Sequence, residues 1–378
     1  MHSGAFGVAI FVAAVFSAGF SHAEVVGLAV SPTPPTNDIH SMIAFGKGKL
    51  LCMRTVPIKG ELFTFPKRYR FLIYNGANWK EIQPDLREYP GNLTIECMTA
   101  GDDCVWICVK SNIKQEAKRC LLMILSDGSS RISEATPVDK DFELKRLFNW
   151  NGHGLIAVER RYFANESDVP LQDYEGHVRV HVRDLDGQWK TKVYQCDDVY
   201  INNNKAYWFT YETGSSQQQA QFSWQISSTP TLTPNRFRQV HFAKLPDGKD
   251  VVWVRDVSET HVLVDCQSGT EVDFDFSEYC IGLDDKEASK IVCPNGYSAH
   301  DLSLANSNEL LVSFNKWNGA SYEVWLGTYD LIKSNVKTKL KLNRVHRSKP
   351  TEYYPERIQR LRYLGEDVYY WAETGGAF

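Results

Sequence analysis

The feature that most constrains this chain is a pair of hairpins that recurs along it. In the first copy Ser41 to Phe45 reads as a strand, Gly46 to Gly48 as a tight turn and Leu50 to Thr55 as a second strand. After a long excursion, Arg70 to Tyr74 and Trp79 to Gln83 follow, joined by Asn75 and Gly76. Asn-Gly tolerates positive φ at both turn positions and so closes hairpins. Further copies start near Thr94, Lys145, Val199, Val240, His300 and Ile358. Four short strands at a period of about 50 residues predict an all-β fold, a β-propeller of six or seven four-stranded blades. Two stacked β-sandwiches would not need so regular a spacing.

The ends complete the picture. The last hairpin, Ile358 to Tyr363 with Val368 to Ala372, has no outer partner, and Val25 to Val30 is an N-terminal strand left over. Together they are expected to make one blade, closing the ring and hiding both edges. The fourth copy is least regular: its outer half, Gln221 to Arg238, holds Pro230 and Pro234. The fifth is read as Val240 to Ala243 with Val251 to Arg255, then His261 to Cys266 and Glu271 to Phe274, turning at Ser268 and Gly269.

The first 23 residues read as an export signal. Phe6 to Phe20 is apolar and small, and Ser21, His22 and Ala23 make a small-x-small cleavage pattern. The run is shorter than the roughly 20 residues a bilayer requires, so residues 24–378 are expected to be one secreted or cell-surface propeller without a membrane span. Net charge is -4, which offers no basic field for nucleic acid. Asn92 and Asn165 head glycosylation triplets, Asn92-Leu-Thr94 and Asn165-Glu-Ser167.

Nine cysteines suit an oxidising compartment, and the odd count leaves one thiol unpaired or shared with another chain. Cys280 and Cys293 bracket a loop whose closure would contribute about 3 kcal/mol. Strand alternation puts Cys97, Cys104 and Cys108 on one face of a hairpin, with Cys97 in reach of either of the others. The spacings lack paired C-x-x-C and have no histidine among them, so no metal or cofactor is expected. His177, Arg179 and His181 alternate along one strand, which reads as a solvated face.

The run Ile39 to Ala44, then Gly46 to Leu51, then Met53 and Arg54, resembles the opening blade of sialidases, the trypanosomal trans-sialidase superfamily above all. Gly76-Ala-Asn-Trp79 and Asp184-Leu-Asp-Gly-Gln-Trp189 are similar to that family's Asp-box turns, and Cys196, Asp197 and Asp198 resemble the start of its fourth unit. The similarity covers about the first 225 residues. It implies a site in which three arginines hold a carboxylate and a Tyr, activated by a Glu, attacks the sugar.

Here the expected first arginine is absent from His40, Ser41 and Met42. The activating Glu falls among Asn202, Asn203 and Asn204, and an amide cannot take a proton. A later clamp arginine falls in Gln217 to Gln219; of Lys59, Gly60 and Glu61, only Glu61 could serve as the acid. Catalytic residues are therefore expected to be none. The preferred reading is a sialidase-like propeller without catalysis, binding a glycan or host protein at its channel mouth. Arg54, Trp208, Tyr211 and Arg255 are the candidate ligand-binding residues, although a core aromatic or a rim ion pair is the commoner role for each. Two alternatives stand beside it: an active glycosidase with substituted residues, and a disulfide-linked structural subunit.

Overall fold

A computed structural model describes Val12–Ala13, most of the chain from Ile39 to Lys341, Arg357–Leu364 and Asp367–Glu373. Residues 58–66, 113–116, 162–177, 213–220, 228–237 and 270–273, with several shorter stretches, lie outside the described residues. Among the described residues every regular element is a strand, and they form six four-stranded sheets and one three-stranded sheet. Within each four-stranded sheet every strand lies beside its neighbour in sequence. A chain of such antiparallel meanders is the β-propeller architecture.

The sheets begin at Ile39, Asn92, Phe142, Asp198, Asp250, Ser298 and Arg357. One expectation is corrected here. Arg238–Lys244, read as the opening of the fifth copy, is the fourth strand of the fourth sheet, beside Gln221–Ser227. The fifth sheet opens instead at Asp250–Val257, followed by His261–Gly269, Phe274–Gly282 and the short Ser289–Lys290. Pro230 and Pro234 lie outside the described residues, between Gln221–Ser227 and Arg238–Lys244, and the fourth sheet has its four strands. The C-terminal hairpin does take an N-terminal strand on its free edge, with Val12 opposite Val368 and Ala13 opposite Asp367. That strand lies inside the stretch read as a leader; Val25 to Val30 lies outside the described residues.

The chain divides into two compact units, one of Asp38–Tyr211 and Ser223–Val240, the other of Met1–Asn37, Glu212–Phe222 and His241–Phe378. In the first unit, sheets pack face to face. Phe45, Leu51 and Phe71 of the first sheet meet Val105, Ile107 and Leu122 of the second. The other face of the second sheet sets Cys108 and Leu121 against Leu144, Leu147, Leu155 and Ala157 of the third. The third sheet then turns Trp150, Ile156 and Val158 toward Val199, Ile201 and Trp208 of the fourth. Both faces of a middle strand are thus covered, which is why Leu155, Ile156, Ala157 and Val158 are all buried in succession. Leu155, Ile156 and Val158 each contribute about 1.5–3 kcal/mol by burial. In the second unit, Leu263, Cys280 and Ile291 of the fifth sheet pack on Leu302, Val312 and Phe314 of the sixth.

Outer turns are fixed by their own side chains. Asn75 Oδ1 accepts from the backbone N–H of Ala77 at 3.0 Å and Asn78 at 2.9 Å. Asp127 does the same for Ser129 at 2.7 Å, and Asp184 for Gln188 at 2.8 Å. Gly128 and Gly187 follow with φ of +86° and +85°.

Candidate functional site

In the first unit, ionisable side chains concentrate where one sheet abuts the next. A bulge between Ile95 and Cys97 gives the second sheet an extra residue, Glu96, and bulges re-aim side chains. Glu96 accepts from Arg119 Nε at 2.6 Å and from Nη2 at 3.2 Å. Nη1 of Arg119 donates to Glu159 on the third sheet and to the Pro137 carbonyl at 3.2 Å. Glu159 also accepts from Arg179 Nη1 at 3.4 Å and meets His181 Nε2 at 2.8 Å, while His181 Nδ1 lies 2.8 Å from Thr191 Oγ1. Burial alone would raise the Glu159 carboxyl, but His181 and the Arg119 guanidinium outweigh it and hold it below the usual range.

This corrects the reading of Arg179 and His181 as a solvated face. His181 is 2% exposed, because the second sheet covers the face on which it and Glu159 lie. His177 lies outside the described residues. With Arg119 and Glu159 side chains 1% and 0% exposed, the cluster ties sheets together and is closed to a dissolved substrate.

A second constellation joins the third and fourth sheets and is nearer the surface. Arg146 follows a bulge in Phe142–Trp150, donates from Nη1 to Asp198 and to the Val199 carbonyl at 3.1 Å, and lies 5.0 Å from the centre of the Tyr200 ring. Asp198 Oδ1 also accepts from its neighbour Val199 N–H at 2.8 Å. The Tyr211 hydroxyl donates to Asp198 Oδ2 at 3.3 Å, and the Tyr211 N–H to Asp197 Oδ2 at 2.7 Å. Burial first, then the Asp198 charge, push the Tyr211 phenol well above its ordinary value despite Arg146 and Arg160. A tyrosine nucleophile needs the opposite, a phenol that gives up its proton readily. The constellation is a Tyr–carboxylate pair with a guanidinium beside it, set for hydrogen bonding.

The sequence pointed to Tyr211 but not to its partner Arg146, and it missed Arg119, Glu96 and Glu159 altogether. A readable signal was a charge set inside an apolar run: Arg119 before Cys120, and Glu159 after Val158. Such a charge needs a buried partner.

Trp208, on the same strand as Tyr211, is 4% exposed, with its ring 4.2 Å from that of Tyr194, and is a core residue rather than a ligand contact. Arg54 stands in Lys49–Pro57 opposite Ile39 and Arg70, on a different sheet; its side chain lies outside the described residues. Asn92 opens its strand opposite Asn112, and Asn165 lies outside the described residues.

In the second unit Arg255 is the extra residue of a bulge between Val254 and Asp256. Its guanidinium forks onto Asp265, with Nε at 3.0 and 3.1 Å and Nη2 at 2.9 Å. Glu278 stands directly opposite Asp265 on the next strand. Burial pushes the Glu278 carboxyl up, Arg255 draws it back, Asp265 pushes it up again, and the net shift is upward. All nine cysteines, Cys97 and Cys108 included, are thiols in the structure, so the bridge expected between Cys280 and Cys293 is not formed there; both pack into one core cluster. Cys280 sits in strand pairing opposite Ser289, so backbone pairing already closes much of that loop, and burial pushes its thiol up to about 12.

No family model matches the chain, and no curated protein matches it in sequence. Solved structures do. Acylaminoacyl peptidase from Pyrococcus horikoshii is similar over 88% of this chain and 48% of its own, at 12% identity and a TM-score of 0.50. The chain thus spans about half the length of that enzyme. YCF48 bound to D1 peptide is similar over 90% of both chains, at 10% identity and a TM-score of 0.47. The β-propeller domain of the Trilobed protease from Pyrococcus furiosus is similar over 76% of this chain and 81% of its own, at 11% identity and a TM-score of 0.45. At such identities the likeness is one of fold alone.

Proposed function

We propose that this chain is an exported, sialidase-like propeller that does not cut glycosidic bonds and serves as a binding module for a glycan or a host protein. The observation that carries the reading is the Tyr211–Asp198–Arg146 constellation. A retaining sialidase needs a phenolate and a carboxylate with charge to spare. Here the phenol is harder to ionise than usual, and the carboxylate is committed to a buried guanidinium and a backbone N–H. The first-strand arginine and the activating Glu of sialidases are also missing from their places in the sequence. Tyr211 and Tyr200 remain partly exposed beside these charges, and aromatic rings with polar neighbours suit sugars and protein loops alike.

The Tyr211 hydroxyl on Asp198 is also what favours the second reading, a surviving glycosidase. One experiment separates them. A fluorogenic sialoside should be hydrolysed no faster by the wild type than by Tyr211→Phe, while a glycan array or immobilised host-surface proteins retain the wild type. Turnover that disappears in Tyr211→Phe would establish the glycosidase instead.

A further inference from the structure

Cys97 and Cys108 stand directly opposite each other on the first two strands of the second sheet, Asn92–Ala100 and Cys104–Asn112. Directly opposed residues of an antiparallel pair have Cα atoms about 4.5 or 5.5 Å apart, inside the roughly 4.4–6.8 Å span of a disulfide. Both side chains face the same core, Cys108 buried in it and Cys97 packed at its edge and partly exposed. Cys104, the other partner the sequence allowed, is excluded by register. It lies beyond the Ala100–Val105 pair that ends the ladder and is opposite Leu125 on the third strand.

We infer that Cys97 and Cys108 form a cross-strand disulfide when the folded protein meets an oxidising thiol–disulfide pool, making this pair a modification site that fastens the second sheet at its bulge. Cys97, the accessible partner, attacks as thiolate on a small-molecule disulfide such as oxidised glutathione, forming a mixed disulfide and expelling one thiol. Cys108, whose Sγ faces Glu96 Oε2 at 3.8 Å, then gives up its proton and attacks the Cys97 sulfur, expelling the second thiol. Two electrons leave the protein sulfurs and reduce the small disulfide to two thiols, which carry off the two protons. Burial first, then the Glu96 charge, push the Cys108 thiol up, so bridge formation should quicken as pH rises.

The test uses the full folded chain, exposed to oxidised glutathione or to a reductant, alkylated in denaturant and mapped by mass spectrometry. Trypsin leaves Cys97, Cys104 and Cys108 in one fragment, Glu88 to Lys110, so cleavage before Asp102 and after Trp106 is needed to separate them. The expected result is a Cys97 piece linked to the Cys108 piece in the oxidised sample alone, retained in Cys104→Ser and absent from Cys97→Ser. A Cys97–Cys104 linkage, or Cys97 and Cys108 both alkylated after oxidation, overturns the inference, and the wild-type map decides even where a variant does not fold.

Discussion

Arg119 of the second sheet and Glu159 of the third form an ion pair with side chains 1% and 0% exposed, and neither has water to fall back on. Glu96, Thr136, Arg179 and His181 complete its hydrogen bonds. Removing one partner of such a pair leaves a charge buried and uncompensated, at about 3–5 kcal/mol. Arg119→Ala should therefore lose about that much stability in urea titration. Lys145→Ala, whose pair with Glu143 is 28% and 49% exposed, should lose less than about 1 kcal/mol. Equal losses would refute the cluster as a tie between sheets.

Acid should find the same cluster. Glu159 is held below the usual carboxylate range in the folded state, so the folded protein binds a proton there less readily than the unfolded chain does. Its stabilisation is complete above the unfolded value of about 4.3 and is lost as pH falls through the folded value. Glu159→Gln should be less stable than wild type at pH 7 and lose less of its remaining stability between pH 5 and pH 3, as followed by tryptophan fluorescence. A variant with an unchanged acid profile would refute this assignment.

Glu278 has the opposite sign. Its carboxyl is pushed up in the folded state, so ionisation opposes folding as pH rises from the unfolded value through the folded one. Glu278→Gln removes that opposition. The variant should melt higher than wild type at pH 7, and the two should converge near pH 4, as read by scanning calorimetry. A lower melting temperature at pH 7 would mean that the ionised carboxylate is needed by Arg255 or Lys290.

The first three sheets and the sixth were legible because their turns carry local chemistry, Asn75 with Gly76, Asp127 with Gly128, Asp186 with Gly187, and their middle strands are apolar on both faces. The fifth was misplaced because Val240 to Ala243 and Val251 to Arg255 look like one hairpin, yet Arg238–Lys244 closes the fourth sheet and Asp250–Val257 opens the fifth. That shift moved Glu278 off the strand and hid its position opposite Asp265. The Arg119–Glu159 tie was illegible for a different reason. Alternation within one strand assigns His181 and Arg179 to a face, but whether that face meets water or the next sheet is a tertiary fact. Arg146 and Tyr211 meet only because two sheets abut at Asp198, which no local pattern announces.

Two glycines with positive φ separate backbone strain from steric fit. Gly248, with φ of +72°, has nothing within 4 Å of where a Cβ would stand, so Gly248→Ala should cost only the left-handed penalty of about 1–2 kcal/mol. Gly154 opens the second strand of the third sheet at φ of +110°, and a Cβ there would lie 2.0 Å from the Arg183 carbonyl oxygen. That oxygen belongs to the neighbouring strand Val178–Arg183, which pairs with Leu155 at the same point and cannot withdraw without breaking the ladder. Strain of about 1–3 kcal/mol is then joined by overpacking of similar size. Gly154→Ala should therefore lower the urea midpoint well beyond Gly248→Ala, and comparable midpoints would mean that the strand end yields more easily than its pairing implies.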